Sequence, residues 1–201
     1  EKNLIQSLNV RLDLAKKYPQ IYSADLAESY GNLAILQKEQ KLFEKSEQNI
    51  LSAQKIYKEL IEKKSIIYLP LLGMNFNNLG NLQLDNHQYK EAKESYYLAL
   101  NIYKKLVTKE NTHFVVLGTI LNNLGVVQQE LNELKEAEQN LQESLTINRE
   151  LYRTNQQAYV HDLSRSLNNL ANLYTINNQV KAEEYYLEIS AIYKNLVKQN
   201  L

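Results

Sequence analysis

Two hydrophobic patterns alternate along the chain. The first sets apolar or aromatic residues at steps of +4, +3 and +1. It reads Leu26, Tyr30, Leu33, Ala34, then Leu72, Phe76, Leu79, Gly80, then Leu117, Leu121, Leu124, Gly125, and finally Leu163, Leu167, Leu170, Ala171. Those offsets fall on one face of an α-helix, here termed helix A. The second runs at +4, +3, +4 and +3: Ala92, Tyr96, Ala99, Tyr103, Leu106, with counterparts Ser46 to Leu60, Ala137 to Leu151 and Ala182 to Leu196. That is the seam of a second helix, B, packed against neighbouring helices. An aliphatic position runs beside it at Val10, Ile56, Ile102, Ile147 and Ile192.

The A pattern returns after 46, 45 and 46 residues, by subtraction between Leu33, Leu79, Leu124 and Leu170. A fixed period of that size predicts a stacked repeat architecture. The expected fold is all-α: a right-handed α-solenoid of antiparallel helix hairpins, with about four repeats spanning 22–64, 68–109, 114–154 and 159–199. Leu14 lies 46 before Leu60, so residues 1–17 read as an orphan helix B. The whole of 1–201 reads as one solenoid domain. Neither end carries a polar capping helix, and there is no initiator Met, so a piece of a longer protein is expected.

Short polar stretches separate A from B: 85–88, 130–133 and 176–179. Such lengths force antiparallel hairpins. The B-to-A connections carry an aromatic each (Tyr22, Tyr68, Phe114, Tyr159), read as plugs anchoring a loop. Pro70 fits the first turn of the next helix A. Gly80 and Gly125 sit mid-helix, where Gly costs about 1 kcal/mol relative to Ala. Close packing on helix B would offset that, with Ala92, Ala99, Ala137 and Ala182 as the facing small residues.

Composition narrows the function more than the fold. Lys+Arg and Asp+Glu are both 23, giving zero net charge and no basic stripe for nucleic acid. The longest nearly apolar run, Ile66 to Met74, is interrupted by Pro70 and Gly73 and falls short of a membrane helix. Cysteine is absent, which excludes disulfides and thiolate metal sites. No signal peptide is legible, and a cytoplasmic location is expected. Lys, Asn and Ile usage suggests an AT-rich genome.

These residues resemble the tetratricopeptide repeat. Phe76, Leu79-Gly80, Ala92, Tyr96 and Ala99 match its pattern best, and the long period is similar to the repeats of kinesin light chain and bacterial multi-repeat proteins. Leu121-Asn122-Asn123-Leu124-Gly125 and Leu167-Asn168-Asn169-Leu170-Ala171 carry the shared phrase. The resemblance covers nearly the whole chain and implies a scaffold fold shared by proteins of many roles.

Asn32, Asn78, Asn123 and Asn169 stand mid-helix beside the packed Leu, where Asn is a poor helix former. They are expected to line a groove of A helices. An amide both donates and accepts, so it suits an extended peptide backbone. The resemblance implies the same contact. The competing reading is that each Asn bonds a neighbouring helix. Asn77, Asn122 and Asn168 adjoin them, with Gly31 in the first copy. Arg165 (with Glu28, Met74 and Thr119) lies one turn earlier; Asn81 and Asn172 (with Ile35 and Val126) lie just later. No Lys/Arg cluster clamps a carboxylate there.

Tyr96, Tyr103, Tyr186 and Tyr193 obey the seam spacing and read as core; Tyr97 and Tyr185 fall off it and read as packing between repeats. His87, His113 and His161 are isolated, with no metal-ligand spacing, and His161-Asp162 looks like capping at a helix start. Neither cofactor nor enzymatic activity is expected. The leading function is a non-catalytic protein- or peptide-binding scaffold. The alternatives are a ligand-sensing regulatory domain of a larger signalling kinase, NTPase switch or protease, and a self-assembling solenoid joined end to end.

Overall fold

The computed structural model describes residues 2–63, 66–107, 113–175 and 178–199. Among them are nine α-helices, one short 3-10 turn (Ile66–Tyr68) and no strand. The helices are α1 (Lys2–Lys17), α2 (Pro19–Glu39), α3 (Phe43–Glu62), α4 (Leu69–Asp85), α5 (Tyr89–Leu106), α6 (Phe114–Glu130), α7 (Leu134–Thr154), α8 (Gln156–Tyr174) and α9 (Gln179–Gln199). Helices α2, α4, α6 and α8 are the A helices, α3, α5, α7 and α9 the B helices, and α1 is a helix of B register. The fold is an α-solenoid of helix hairpins. It divides into two compact units, Glu1–Tyr103 and Lys104–Leu201.

In the first unit α1 packs on α2, α2 on α3 and α3 on α4. Ala34, Ile50, Leu79 and Leu82 form a buried cluster with Phe43 against it. In the second unit α6 packs on α7, α7 on α8 and α8 on α9. Its core joins Leu141, Leu145, Leu163, Leu167 and Leu170. The seam residues read from the sequence therefore form the core, with two exceptions. Tyr96 and Tyr103 are buried, but Tyr186 and Tyr193 on α9 are 41% and 39% exposed. No described helix covers the outer face of α9. Of the two off-seam tyrosines, Tyr185 stacks on Tyr174 with ring centroids 6.0 Å apart, whereas Tyr97 is exposed.

The mid-helix glycines do approach helix B closely, but the facing residue is large. A Cβ on Gly80 would lie 2.6 Å from the Tyr96 ring, and one on Gly125 2.5 Å from Leu141 Cγ. Ala137 contributes only its carbonyl oxygen, 3.2 Å from the Gly125 position.

Three A-to-B turns share one geometry. Lys41, His87 and Asn132 have φ near +60°. The amide three past the end of each helix A bonds back five residues: Leu42 to Gln37, Gln88 to Gln83 and Glu133 to Gln128, each at 2.8 Å. The preceding amides bond Lys38, Leu84 and Gln129, completing Schellman caps. Asn132 suits that left-handed position; Lys41 and His87 carry a strain of about 1 kcal/mol there. In the fourth turn, Ile176 and Asn177 lie outside the described residues.

The glutamines at these caps are buried and form a second repeat inside the first. Gln37 Oε1 accepts from Asn49 Nδ2, Gln83 Oε1 from Ser95 Oγ, and Gln128 Oε1 from Asn140 Nδ2, all at 2.7 Å. Each bond ties the end of helix A to the second turn of helix B. The fourth repeat puts Tyr174 and Tyr185 at these positions and replaces the bond with the ring stack.

Three of the four B-to-A connections differ from the expected loops; only Tyr68 lies in a connection, in the turn before α4. Tyr22 and Tyr159 lie inside α2 and α8, and Phe114 opens α6. One residue, Tyr18, separates α1 from α2, because Pro19 starts the new helix at once. Asn155 alone separates α7 from α8, and its side chain caps α8 by accepting from the Ala158 amide at 3.0 Å. His161 and Asp162 are therefore interior to α8 and do not cap it. Asp162 instead bonds Arg165 one turn on, at 2.6 Å.

Candidate binding surface

The A helices present the surface expected to bind. In the first unit that surface comes from α2 and α4. Asn32 is exposed and Asn78 half-buried, with Ile35 and Met74 exposed beside them. Asn77 is buried, so its side chain is not open to a partner. Asn81 accepts from the Tyr96 hydroxyl at 2.7 Å. Lys38 on α2 reaches Asp85 on α4 at 2.6 Å and neutralises an acid that the sequence placed in a turn. Ile35, Lys38, Asn78 and Asn81 surround a dimple of about 20 Å³, room for one methyl group or one water.

In the second unit the surface comes from α6 and α8. Asn169 Nδ2 donates to Asn122 Oδ1 at 2.9 Å, joining the two A helices. Asn122 is buried beneath that bond, while Asn123 is half-buried and Asn168 exposed. Arg165 is held by Asp162 and lies 3.5 Å from Thr119 Oγ1 on α6. Asn172 is exposed and accepts from the Tyr186 hydroxyl at 2.7 Å. The two readings weighed for the asparagines thus divide by position. Asn122 and Asn169 bond one another across the helices and Asn172 bonds Tyr186 on α9; Asn32 and Asn168 are exposed.

The Asn81–Tyr96 and Asn172–Tyr186 bonds recur at equivalent positions in the second and fourth repeats. In the first and third, Ile35 and Val126 replace the Asn, and Ile50 and Leu141 replace the Tyr. The exchange is paired on both helices; the buried Tyr96 needs its partner, whereas Tyr186 is exposed. Reading each helix singly could not find it; comparing repeats position by position would have.

Burial raises the phenol pKa of Tyr57, to about 12, and of Tyr96 and Tyr103; the nearby Glu28 and Asp85 carboxylates add to the first two. A raised folded-state value means the neutral form is the one the fold holds. That stability is complete below pH 10 and falls as pH rises from 10 toward the folded value. The tyrosine contribution to unfolding free energy is expected to be constant below pH 10 and then to drop by about 1.4 kcal/mol per pH unit for Tyr57 alone. Urea titrations at pH 9 and pH 11 check this, and Tyr57→Phe should flatten part of the slope.

Among the described residues no group of three or more His, Asp or Glu side chains converges as a metal site. No described helix is long and apolar enough to cross a membrane.

The family model of the tetratricopeptide repeat matches residues 71–150 and 116–195, together more than half the chain. No curated protein matches it in sequence. Solved structures do. BtubC (BKLC) from P. vanneervenii is 24% identical over 96% of this chain and 72% of its own, with a TM-score of 0.76. RapI in its apo form is 19% identical over 96% of this chain and 50% of its own, with a TM-score of 0.73. A putative kinesin light chain from Podosopora anserina with nearly identical TPR-like repeats is 16% identical over 96% of this chain and 97% of its own, at 0.55. At these identities the likeness is one of fold.

Proposed function

Because the chain belongs to the tetratricopeptide repeat family, we propose that it is a non-catalytic scaffold whose A-helix surfaces bind an extended protein or peptide segment. The observation that carries this reading is the exposed amides on the A helices of each unit, Asn32 on α2 and Asn168 on α8, at helix positions where Asn lowers helix propensity. Backbone-directed amides beside the exposed apolar side chains Ile35 and Met74 suit a segment gripped mainly through its main chain. Asn77, Asn122 and Asn169 support that surface from within by joining or filling the space between helices. Asn123, Asn81 and Arg165 complete the proposed contact set.

The test uses the 201-residue chain as bait in a native lysate. One variant changes Asn32, Asn78, Asn168 and Asn172 to Ala. A second changes Glu91 and Glu136, exposed on B helices, to Ala. Circular dichroism establishes that both remain folded. A partner kept by the wild type and the B-helix variant, and lost by the amide variant, is the expected result. Equal retention by all three sinks the A-surface reading.

A further inference from the structure

The dimple in the α2–α4 face has a cause in the sequence. Ile50 on α3 stands where the second repeat has Tyr96, Ala34 where it has Gly80, and Ile35 where it has Asn81. In the second repeat the Tyr96 ring lies against Gly80, and its hydroxyl reaches Asn81 at the helix surface. Ile50 is too short to reach that far. The space above it stays open, about 20 Å³, with the buried Ala34, Ser46 and Ile50 as floor and Ile35, Asn78 and Asn81 as rim. The Ser46 hydroxyl donates to the Ala34 carbonyl at 2.7 Å, so the floor is set for a methyl-sized apolar guest. Leu71 and Met74 on α4, both exposed, extend the apolar surface beside it.

The charges on the same face say what kind of chain fits it. At about 100° per residue Asp25, Glu28, Asn32, Ile35 and Glu39 fall within an arc of about 80° on α2. Arg11 on α1 reaches the Asp25 carbonyl oxygen at 3.2 Å, and Lys38 is paired with Asp85. Glu28 and Glu39 are exposed and have no ion-pair partner among the described residues. Glu28 lies about 11 Å along α2 from Ile35 at the rim, with Asn32 between them. An extended chain covers that distance in about three residues. Resting on the A-surface reading above, we propose that the α2–α4 face binds a basic, extended segment of a partner protein. An alanine- or serine-sized side chain sits in the dimple, Asn32 meets the main chain, and a Lys or Arg about three residues away meets Glu28. Charge complementarity of this kind selects the partner more than it adds affinity. On the α6–α8 face Arg165 takes the position of Glu28, so the preference belongs to the first unit.

The probe is a fluorescein-labelled peptide of three Lys-Ser-Ser-Ala units, titrated with the 201-residue chain and read by anisotropy. Peptides of three Glu-Ser-Ser-Ala and three Lys-Ser-Ser-Leu units are the comparisons. The Lys-Ala peptide is expected to bind about tenfold tighter than its Glu counterpart, and more weakly as salt rises. Glu28→Gln with Glu39→Gln should weaken it about tenfold, whereas Glu91→Gln with Glu94→Gln, exposed on α5, should leave it unchanged. The dimple is tested by Ala34→Gly, Ile35→Asn and Ile50→Tyr together, which carries the second repeat's own solution into the first. That variant, shown folded by circular dichroism, should bind the Lys-Ala peptide about fourfold more weakly, the worth of one buried methyl group. The Lys-Leu peptide, too large for the dimple, should bind the wild type more weakly than the Lys-Ala peptide. Equal affinity for the Lys and Glu peptides, or none for either, overturns the proposal. So does an equal loss from the α5 changes. A Lys-Leu peptide that binds tighter overturns the dimple as anchor. The A-surface reading is judged separately, because the lysate partner can be lost with the amide variant even where these peptides show no preference.

Discussion

Gly80→Ala and Gly125→Ala are each expected to destabilise the protein by about 2–3 kcal/mol, whereas Gly31→Ala stabilises it by about 0.5–1 kcal/mol. The chemistry of the three changes is identical and the surroundings decide the sign. At Gly80 the new methyl would lie within 2.9 Å of three atoms of the Tyr96 ring, and at Gly125 within 2.8 Å of two Leu141 atoms. Both partners are fully buried, so neither can swing aside. The fourth repeat shows what accommodation looks like. Ala171 stands at the glycine position there, and its facing Tyr186 is 41% exposed where Tyr96 is buried. A Cβ on Gly31 meets nothing within 4 Å, and α2 gains helix propensity without contact. Thermal unfolding of the three variants, followed by circular dichroism, checks both signs. A Gly80→Ala melting point at or above wild type would refute the packing argument.

A gain of about 2–4 kcal/mol is expected from Gln54→Leu combined with Asn75→Ile. Both residues are buried in the first unit, Gln54 on α3 and Asn75 on α4, two helices that pack together. Gln54 Nε2 and Asn75 Oδ1 find no hydrogen-bond partner in the protein. A buried polar atom left unpaired costs about 1–3 kcal/mol, while replacing it with an apolar group of similar shape removes that cost. The chain already holds the apolar solution elsewhere. Leu100 and Leu145 occupy the position of Gln54 in later repeats, and Ile120 occupies that of Asn75. Urea denaturation measures the change. If the double variant loses stability, the two amides are satisfied in solution and the unpaired-group account fails.

The architecture was legible because the same core problem is solved four times. Leu33, Leu79, Leu124 and Leu170 repeat a pattern that a single helix would leave ambiguous. The helix starts were less legible. A single residue suffices for the turn at Tyr18 and at Asn155, so Tyr22 and Tyr159, expected in loops, lie within A helices. Lys41 and His87 adopt the left-handed conformation although neither is a turn-former; Schellman bonding imposes it. Gln37, Gln83 and Gln128, buried at the ends of A helices, keep the same period as the leucines. Periodicity in a polar residue carries as much positional information as periodicity in an apolar one. For the binding surface, the sequence located the face but not the depth. One helical step of about 100° separates Asn122, buried, from Asn123, half-buried, and depth depends on the neighbouring helix.

The glutamine bonds span short stretches of chain. Asn49 reaches back to Gln37, Ser95 to Gln83 and Asn140 to Gln128, each across 12 residues. Such closures cost little loop entropy and form early. Each of these hairpins therefore carries its own lock, made before any neighbour arrives. Folding can begin at any of the three and spread to the next, so no one hairpin is the obligatory nucleus. The fourth, which exchanges its lock for a ring stack, is the one expected to join last.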